Sequence, residues 1–280
     1  MNRLSSLVAT ILTLGRDQQS FIGARWLVLL LRLIPRRLRR KSALWVLSLS
    51  PHYFYRGISS NYTGLSLSEF LEAEYERNRS SREMICNQLL MRYMKPNFEI
   101  LDIGCGPGFL AKAVAQHVRV VYACDISQGV LECARIINHA DNIRYIYSGA
   151  SGFAHIRDSS LDLIYSIAVI QHLTESVIEY IFNVAKTKLR PGGQCLFQVQ
   201  LEGEKWKKED ESRQDKSLTG HLRMKYGLNC FQRSEGFFKA LASQTGLSLV
   251  SVHSMFDFLA SPFDDVYYQH LIILSKPSTD

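Results

Sequence analysis

The residues best suited to chemistry lie in a short stretch between positions 102 and 125. Gly104, Gly106 and Gly108 alternate with other residues, and glycine lets the backbone approach a ligand more closely than other residue types do. Asp102 stands two positions before the first glycine, where its carboxylate could receive an ammonium group but would repel a pyrophosphate. Asp125, 17 residues after Gly108, could accept hydrogen bonds from ribose hydroxyls. Together they indicate a ligand that combines a nucleoside with an amino acid.

The spacing of the glycines argues against a dinucleotide ligand. The dinucleotide fingerprint is GxGxxG, and Phe109 stands where that motif places its last glycine. An NAD-type oxidoreductase is therefore the weaker interpretation of this stretch.

Apolar runs around the glycines predict the elements that position them. Residues 98–103 predict a buried strand, residues 110–117 a helix and residues 118–123 a second strand, which is the order of a Rossmann-like βαβ unit. Further strands are predicted over residues 143–148, 162–167, 194–199, about 247–252 and about 267–274.

Four ordered motifs resemble those of class I S-adenosylmethionine (SAM) dependent methyltransferases. The segment Ile100 to Gly108 is similar to motif I of that family, and Asp125 and the run Asp162 to Ile167 match its second and fourth strands. The sequence Leu189-Arg190-Pro191-Gly192-Gly193 is similar to the family's turn before its fifth strand. The resemblance covers about residues 85–275. It implies an α/β, Rossmann-like, doubly wound seven-stranded sheet, mostly parallel with one antiparallel strand, plus an N-terminal helical cap.

The resemblance also implies the cofactor and its site. It implies SAM as cofactor, S-adenosylhomocysteine as product and no metal. One departure concerns Ala150, because the family commonly has an aspartate there that receives the adenine amino group; the Ala150 backbone N–H or Ser151 could bind adenine instead. The predicted cofactor-binding residues are Asp102, Gly104, Cys105, Gly106, Gly108, Asp125, Ile126, Ala150 and Ser151.

The segment after the fourth strand bears on the acceptor. Family members that methylate amide or adenine nitrogens carry an Asn/Asp-Pro-Pro-aromatic loop there, whereas this chain has residues 166–172, which end in His172. His172 is the predicted general base, because an imidazole titrates in the useful pH range; a structural role for it stays open. Weaker candidates are His221, Tyr62 and Tyr75.

The predicted function is methyl transfer to oxygen, nitrogen or carbon of a small, apolar natural product or lipid-like molecule. An alternative is a SAM-binding regulatory or partner subunit without catalytic activity. Six scattered cysteines without a CxxC pair or a Cys/His cluster predict reduced thiols in a cytoplasmic protein rather than disulfides or a metal site.

The positive charge is concentrated near the N-terminus. The chain carries a net charge of +7, but residues 1–45 hold nine arginines or lysines and one acid, so the rest is close to neutral. A near-neutral main domain argues against nucleic acid as a partner. Residues 21–41 combine an apolar run, too short to span a bilayer, with a basic cluster. Two interpretations stay open: a helix packed on the core, or a peripheral anchor on an anionic membrane.

The chain is predicted to divide into a basic and helical segment over residues 1–84 and a SAM-binding domain over residues 85–280, with a charged insertion at about 201–222. Within the cap, Ser66 and Glu69 predict a capping box at the start of one helix. Ser80 or Ser81 is predicted to start a second helix that ends near Met94. Helices in these positions would cover the cofactor and shape the acceptor pocket in the resembling family.

Overall fold

A seven-stranded mixed sheet is the centre of the computed structural model, which describes residues 31–48, 64–149, 152–201, 208–217, 230–259 and 269–278. The strand order is β3-β2-β1-β4-β5-β7-β6, and β7 runs antiparallel to both of its neighbours while the other paired strands are parallel. The predicted fold class is confirmed. The strands are β1 Glu99–Ile103, β2 Val120–Asp125, β3 Ile143–Tyr147, β4 Leu161–Ser166, β5 Leu189–Val199, β6 Ser248–Ser254 and β7 His270–Ser275.

Helices cover both faces of this sheet. The strands are apolar on both sides: along β1, Ile100 joins one buried layer, and Leu101 and Ile103 join the other. Helices α2, α3 and α4 contribute side chains to the first layer, and α5 and α7 contribute to the second. The helices are α1 Arg36–Ser48, α2 Leu67–Gln88, α3 Phe109–Val114, α4 Gln128–Ile137, α5 Glu175–Lys188, α6 Glu209–Gln214 and α7 Glu235–Thr245.

The cap helix α1 packs on the domain through one face. Ala43, Val46 and Leu47 lie three and four residues apart, and all are buried in a small apolar cluster with Leu31 and with Cys133 of α4. A salt bridge of 2.8 Å also joins Arg40 to Glu72 of α2. Packing on the core is therefore present for residues 31–48, while residues 21–30 lie outside the described part of the chain.

The prediction of a second cap helix starting at Ser80 or Ser81 is wrong. The chain instead forms one continuous helix, α2, followed by a 3-10 turn over Leu90–Tyr93. Ser81 is buried within α2 rather than capping a new helix. Arg79 bonds both Glu76 and Glu83, three residues before and four residues after it, and these pairs support the helix across the two serines.

Other boundaries agree with the sequence. The capping box is present, with the Glu69 N–H donating to Ser66 Oγ and the Ser66 N–H donating to Glu69 Oε2. The charged insertion contains the short helix α6, and its residues 202–207 and 218–222 lie outside the described part. Helix α2 runs through residue 84, so the division of the chain at residues 84 and 85 stays a prediction.

We expect Ser66→Ala to lower the free energy of unfolding by about 1 kcal/mol, because the mutation removes the N-cap oxygen of α2. Chemical denaturation followed by circular dichroism measures this change. Ser68→Ala is the matched control, since Ser68 is exposed at the second position of the same helix but is not its N-cap. Equal stabilities for the two variants would show that the Ser66 cap does not stabilise the protein.

Candidate functional site

A glycine loop joins β1 to α3 at the carboxyl edge of the sheet. Gly104 and Cys105 both donate their N–H groups to the carbonyl of Cys124 on β2, at 2.8 and 2.9 Å. The loop is therefore fastened to the neighbouring strand before α3 begins at Phe109. Because the Cys105 amide is used inside the protein and its side chain is buried, Cys105 anchors the loop. Its predicted contact with the cofactor stays a prediction.

The three glycines differ in what surrounds them. A Cβ atom on Gly104 would collide with the side chain of Val169, and one on Gly108 would collide with Tyr145. A Cβ atom on Gly106 would meet no protein atom within 4 Å in the structure as described. Gly104 and Gly108 thus allow close packing within the protein, whereas the Gly106 backbone faces open space that a ligand could fill.

Asp102 is a buried carboxylate whose hydrogen bonding is incomplete. Its side chain is 3 % exposed, and among the described residues neither Asp102 Oδ2 nor the hydroxyl of Tyr165 has a hydrogen-bond partner. The two residues are register partners on β1 and β4. Burial raises the pKa of Asp102 to about 7; the Tyr165 hydroxyl beside it opposes the rise and the negative charge of Asp125 adds to it. A cation bound at this oxygen would satisfy it and stabilise its charge.

Asp125 ends β2 and is oriented by the backbone. Its Oδ2 accepts the Gly106 N–H at 3.0 Å and its Oδ1 accepts the Ser127 N–H at 2.8 Å. Burial raises the pKa of Asp125, and these backbone bonds oppose that rise. Each carboxylate oxygen keeps a further lone pair for a ligand hydroxyl. The next side chain, Ile126, is 41 % exposed and could pack against a flat ring.

The segment after β4 borders the glycine loop. Val169 fills the space beside Gly104, and Ala168, which has a positive φ of 62°, donates its N–H to Gln198 Oε1 at 2.7 Å. His172 ends a 3-10 turn that follows, and its N–H donates to the Val169 carbonyl. The structure therefore places the predicted general base on a segment that directly contacts the predicted cofactor loop.

Arg233 holds the far end of this segment. Its buried guanidinium donates to the Leu173 carbonyl at 2.6 Å and pairs with Glu209 of α6 at 3.1 Å. Burial lowers the pKa of Arg233, and the charges of Glu209 and Glu175 oppose this. Neither Arg233 nor Gln198 was predicted from the sequence. A glutamine within the otherwise apolar run 195–199 was a usable signal for Gln198, but nothing local marked Arg233.

The remaining candidates are separated. Tyr75 packs edge-to-face on Phe109, with ring centroids 5.4 Å apart, so it contacts the start of α3 from the cap. Ala150, Ser151, His221 and Tyr62 lie outside the described residues. In the described ranges, no group of three or more His, Cys, Asp or Glu residues is arranged to hold a metal ion.

Comparison with known proteins gives the family of this arrangement. Residues 100–193 match a family model whose description is "Methyltransferase domain". A ubiquinone biosynthesis O-methyltransferase of Saccharophagus degradans is 27% identical over 129 residues, which are 45% of this chain and 54% of that protein. One from Pseudomonas fluorescens is 29% identical over 103 residues, which are 35% of this chain and 43% of that protein. The chain thus spans about half the length of the curated relatives it matches.

Solved structures share the fold at low sequence identity. A complex between the Haloferax volcanii Trm112 methyltransferase activator and a putative methyltransferase matches with a TM-score of 0.53 at 14% identity, covering 74% of this chain and 95% of the matched chain. A putative sarcosine dimethylglycine methyltransferase of Galdieria sulphuraria matches with a TM-score of 0.52 at 17% identity, covering 75% and 88% of the two chains.

The glycine loop, Asp102 and Asp125 all lie inside the segment that the family model matches. Residues 100–193 therefore match a methyltransferase domain, and the sheet that contains them has the Rossmann-like fold of the class I SAM-dependent methyltransferases.

Proposed function

We propose that this protein transfers the methyl group of SAM to an oxygen atom of a small, apolar acceptor. The names of the relatives, ubiquinone biosynthesis O-methyltransferases, favour oxygen over the nitrogen or carbon acceptors that the sequence leaves open. A quinol-like or other lipid-like hydroxyl compound is the acceptor class that those names and the near-neutral main domain support together.

The proposal rests mainly on the unsatisfied oxygen of Asp102. A buried carboxylate oxygen without a partner is costly, and a bound ammonium group would remove that cost. SAM carries such a group on its methionine portion. The open space at Gly106 lies on the same loop, and Asp125 has lone pairs left for ribose hydroxyls. The residues present therefore fit the cofactor that the family uses.

The chemistry divides between cofactor and protein. Bound SAM supplies an activated methyl group on a sulfonium. Asp102 would bind the ammonium group, Asp125 would orient the ribose, and Ile126 would cover one face of the adenine. Ala150 and Ser151 stay proposed as adenine contacts. His172 would accept the proton that the acceptor hydroxyl loses, which makes the oxygen nucleophilic. The protein's main task would be to align the acceptor oxygen in a pocket without water.

A SAM-binding regulatory or partner subunit without activity is the second candidate. Calorimetry with S-adenosylhomocysteine and with NAD, followed by a screen of hydroxylated, amine and isoprenoid acceptors with labelled SAM, separates the candidates. We expect S-adenosylhomocysteine to bind and NAD not to bind. Tighter binding of NAD would refute the proposal, and binding without transfer to any acceptor would favour the regulatory role.

We expect Gly106→Ala to weaken S-adenosylhomocysteine binding at least tenfold, because the new methyl group would occupy cofactor space. Gly64→Ala is a matched control: Gly64 also has a positive φ and open space at its Cβ position, but it lies outside the loop. Both variants carry a similar backbone strain of about 1–2 kcal/mol. Calorimetry measures the affinities, and equal affinities for the two variants would contradict close approach at Gly106.

We expect the affinity for S-adenosylhomocysteine to rise between pH 5 and pH 8, with a midpoint near the Asp102 pKa of about 7. Cation binding needs the ionised carboxylate, so binding below that pH must release a proton. In the free protein, the folding stability contributed by Asp102 changes with pH in the opposite direction from the binding affinity. The stability that Asp102 contributes is present below its ordinary pKa of 3.8 and is lost as the pH rises through about 7.

Titrations in two buffers of different ionisation enthalpy measure the released proton. Asp102→Asn supplies the control, because it keeps the side-chain shape without the charge. It should bind weakly, with an affinity that is independent of pH. A wild-type affinity that is flat across this range would show that Asp102 does not hold the ammonium group.

We expect His172→Ala to lower kcat by about 10²–10⁴-fold while the affinity for S-adenosylhomocysteine stays unchanged, because a general base contributes on that scale. His155→Ala is the control, since His155 is exposed on a different turn. The acceptor found in the screen is used for turnover. A loss smaller than about tenfold would assign His172 a structural role.

A further inference from the structure

The outward face of the cap combines apolar and basic side chains. On α1, Leu38 and Trp45 lie seven residues apart on one face, and they are 49 % and 42 % exposed. Leu33, just before α1, is 80 % exposed. Arg37 and Lys41 are exposed next to this face. The face lies away from Ala43, Val46 and Leu47. Those three residues pack on the domain, whereas Leu38 and Trp45 on the outer face remain exposed.

The apolar surface continues onto α2. Leu65 and Leu67, at the start of that helix, are 41 % and 43 % exposed. A recess of about 310 Å³ separates the two helices and has a mainly apolar lining. Its lining residues are Lys41, Leu44, Leu67, Ser68, Leu71 and Glu72. We call Leu33, Leu38, Trp45, Leu65 and Leu67, with Arg36, Arg37 and Lys41, the cap patch.

The basic side chains of the cap patch are not neutralised by the described parts of the protein. Arg32, Arg39 and Arg40 have partners in Glu132, in backbone carbonyls and in Glu72. Within the described ranges, Arg36, Arg37 and Lys41 have neither an ion pair nor a side-chain hydrogen bond. Three positive charges thus lie among exposed leucines and a tryptophan. The acids on this surface are already engaged, because Glu72 pairs with Arg40 and Glu69 accepts the Ser66 N–H.

We propose that the cap patch binds the surface of an anionic phospholipid membrane. Apolar side chains set among unpaired lysines and arginines suit the boundary between acyl chains and negatively charged headgroups, where tryptophan is also favoured. A second copy of the chain fits poorly, because a symmetric contact would bring the same three positive charges together. No described helix is long and apolar enough to cross a membrane, and the proposed contact is peripheral. It does not depend on the identity of the acceptor.

Sedimentation of the full chain with phosphatidylcholine vesicles, with and without phosphatidylglycerol, tests this surface. We expect binding only when phosphatidylglycerol is present, and weaker binding as salt rises from about 0.1 M to about 1 M. Arg36→Gln/Arg37→Gln/Lys41→Gln should lower the partition coefficient at least about tenfold. Leu38→Gln/Trp45→Gln should lower it as well, because it removes the inserted apolar groups.

Two controls match these variants. Lys95→Gln/Lys216→Gln/Lys239→Gln removes the same charge from exposed positions elsewhere, and Val177→Gln/Val250→Gln removes exposed apolar groups elsewhere. Both should bind vesicles like the wild type. Circular dichroism and S-adenosylhomocysteine affinity verify that each variant folds, and Arg37→Gln/Lys41→Gln replaces the triple variant if that one does not fold. These solution readouts also keep a failure of membrane binding separate from a failure of the proposed activity.

Four results would overturn the proposal. The first two are equal binding to neutral vesicles and an equal loss in the control variants. The third is a wild-type dimer that Leu38→Gln/Trp45→Gln dissociates, and the fourth is binding of a duplex oligonucleotide as tightly as anionic vesicles.

Discussion

Two carboxylates at the carboxyl edge of adjacent strands, Asp102 buried and Asp125 partly buried, are the constraint around which the site is arranged. Burial raises the pKa of both carboxylates, and the negative charge of Asp125 adds to the rise for Asp102. The fold offsets this for Asp125 with backbone N–H groups from Gly106 and Ser127. It leaves an oxygen of Asp102 without a partner. This difference would give the two acids different tasks, because the backbone positions Asp125 whereas Asp102 keeps an oxygen for the proposed ammonium group.

The segment after β4 is held at three separate points. Val169 packs against Gly104, Gln198 accepts the Ala168 N–H, and Arg233 binds the Leu173 carbonyl. The three partners come from the glycine loop, from β5 and from the stretch before α7. The position of His172 is therefore determined by contacts that are distant in sequence, and a change in any one of them would move it relative to the glycine loop.

The sequence predicted the sheet, the glycine loop and the two acids because these depend on local patterns. Apolar runs, alternating glycines and capping residues such as Ser66 act within a few positions, and the structure shows the Ser66 cap. The continuity of α2 was missed because serine is also common at the start of a helix. Only the burial of Ser81 within α2 shows that the helix continues through Ser80 and Ser81. Arg233 was missed because its partners lie 24 and 60 residues away. The Ala150 and Ser151 contacts lie outside the described residues.

The continuity of α2 has a mechanical consequence. A helix of 22 residues is about 33 Å long and bends little. One end carries Leu67 of the cap patch, and further along Tyr75 lies between Arg40 of α1 and Phe109, the first residue after the glycine loop. On a membrane bound through the cap patch, as proposed, this helix would hold the glycine loop at a set distance from the surface. A small apolar molecule that leaves the surface would then have a defined distance to travel to the site.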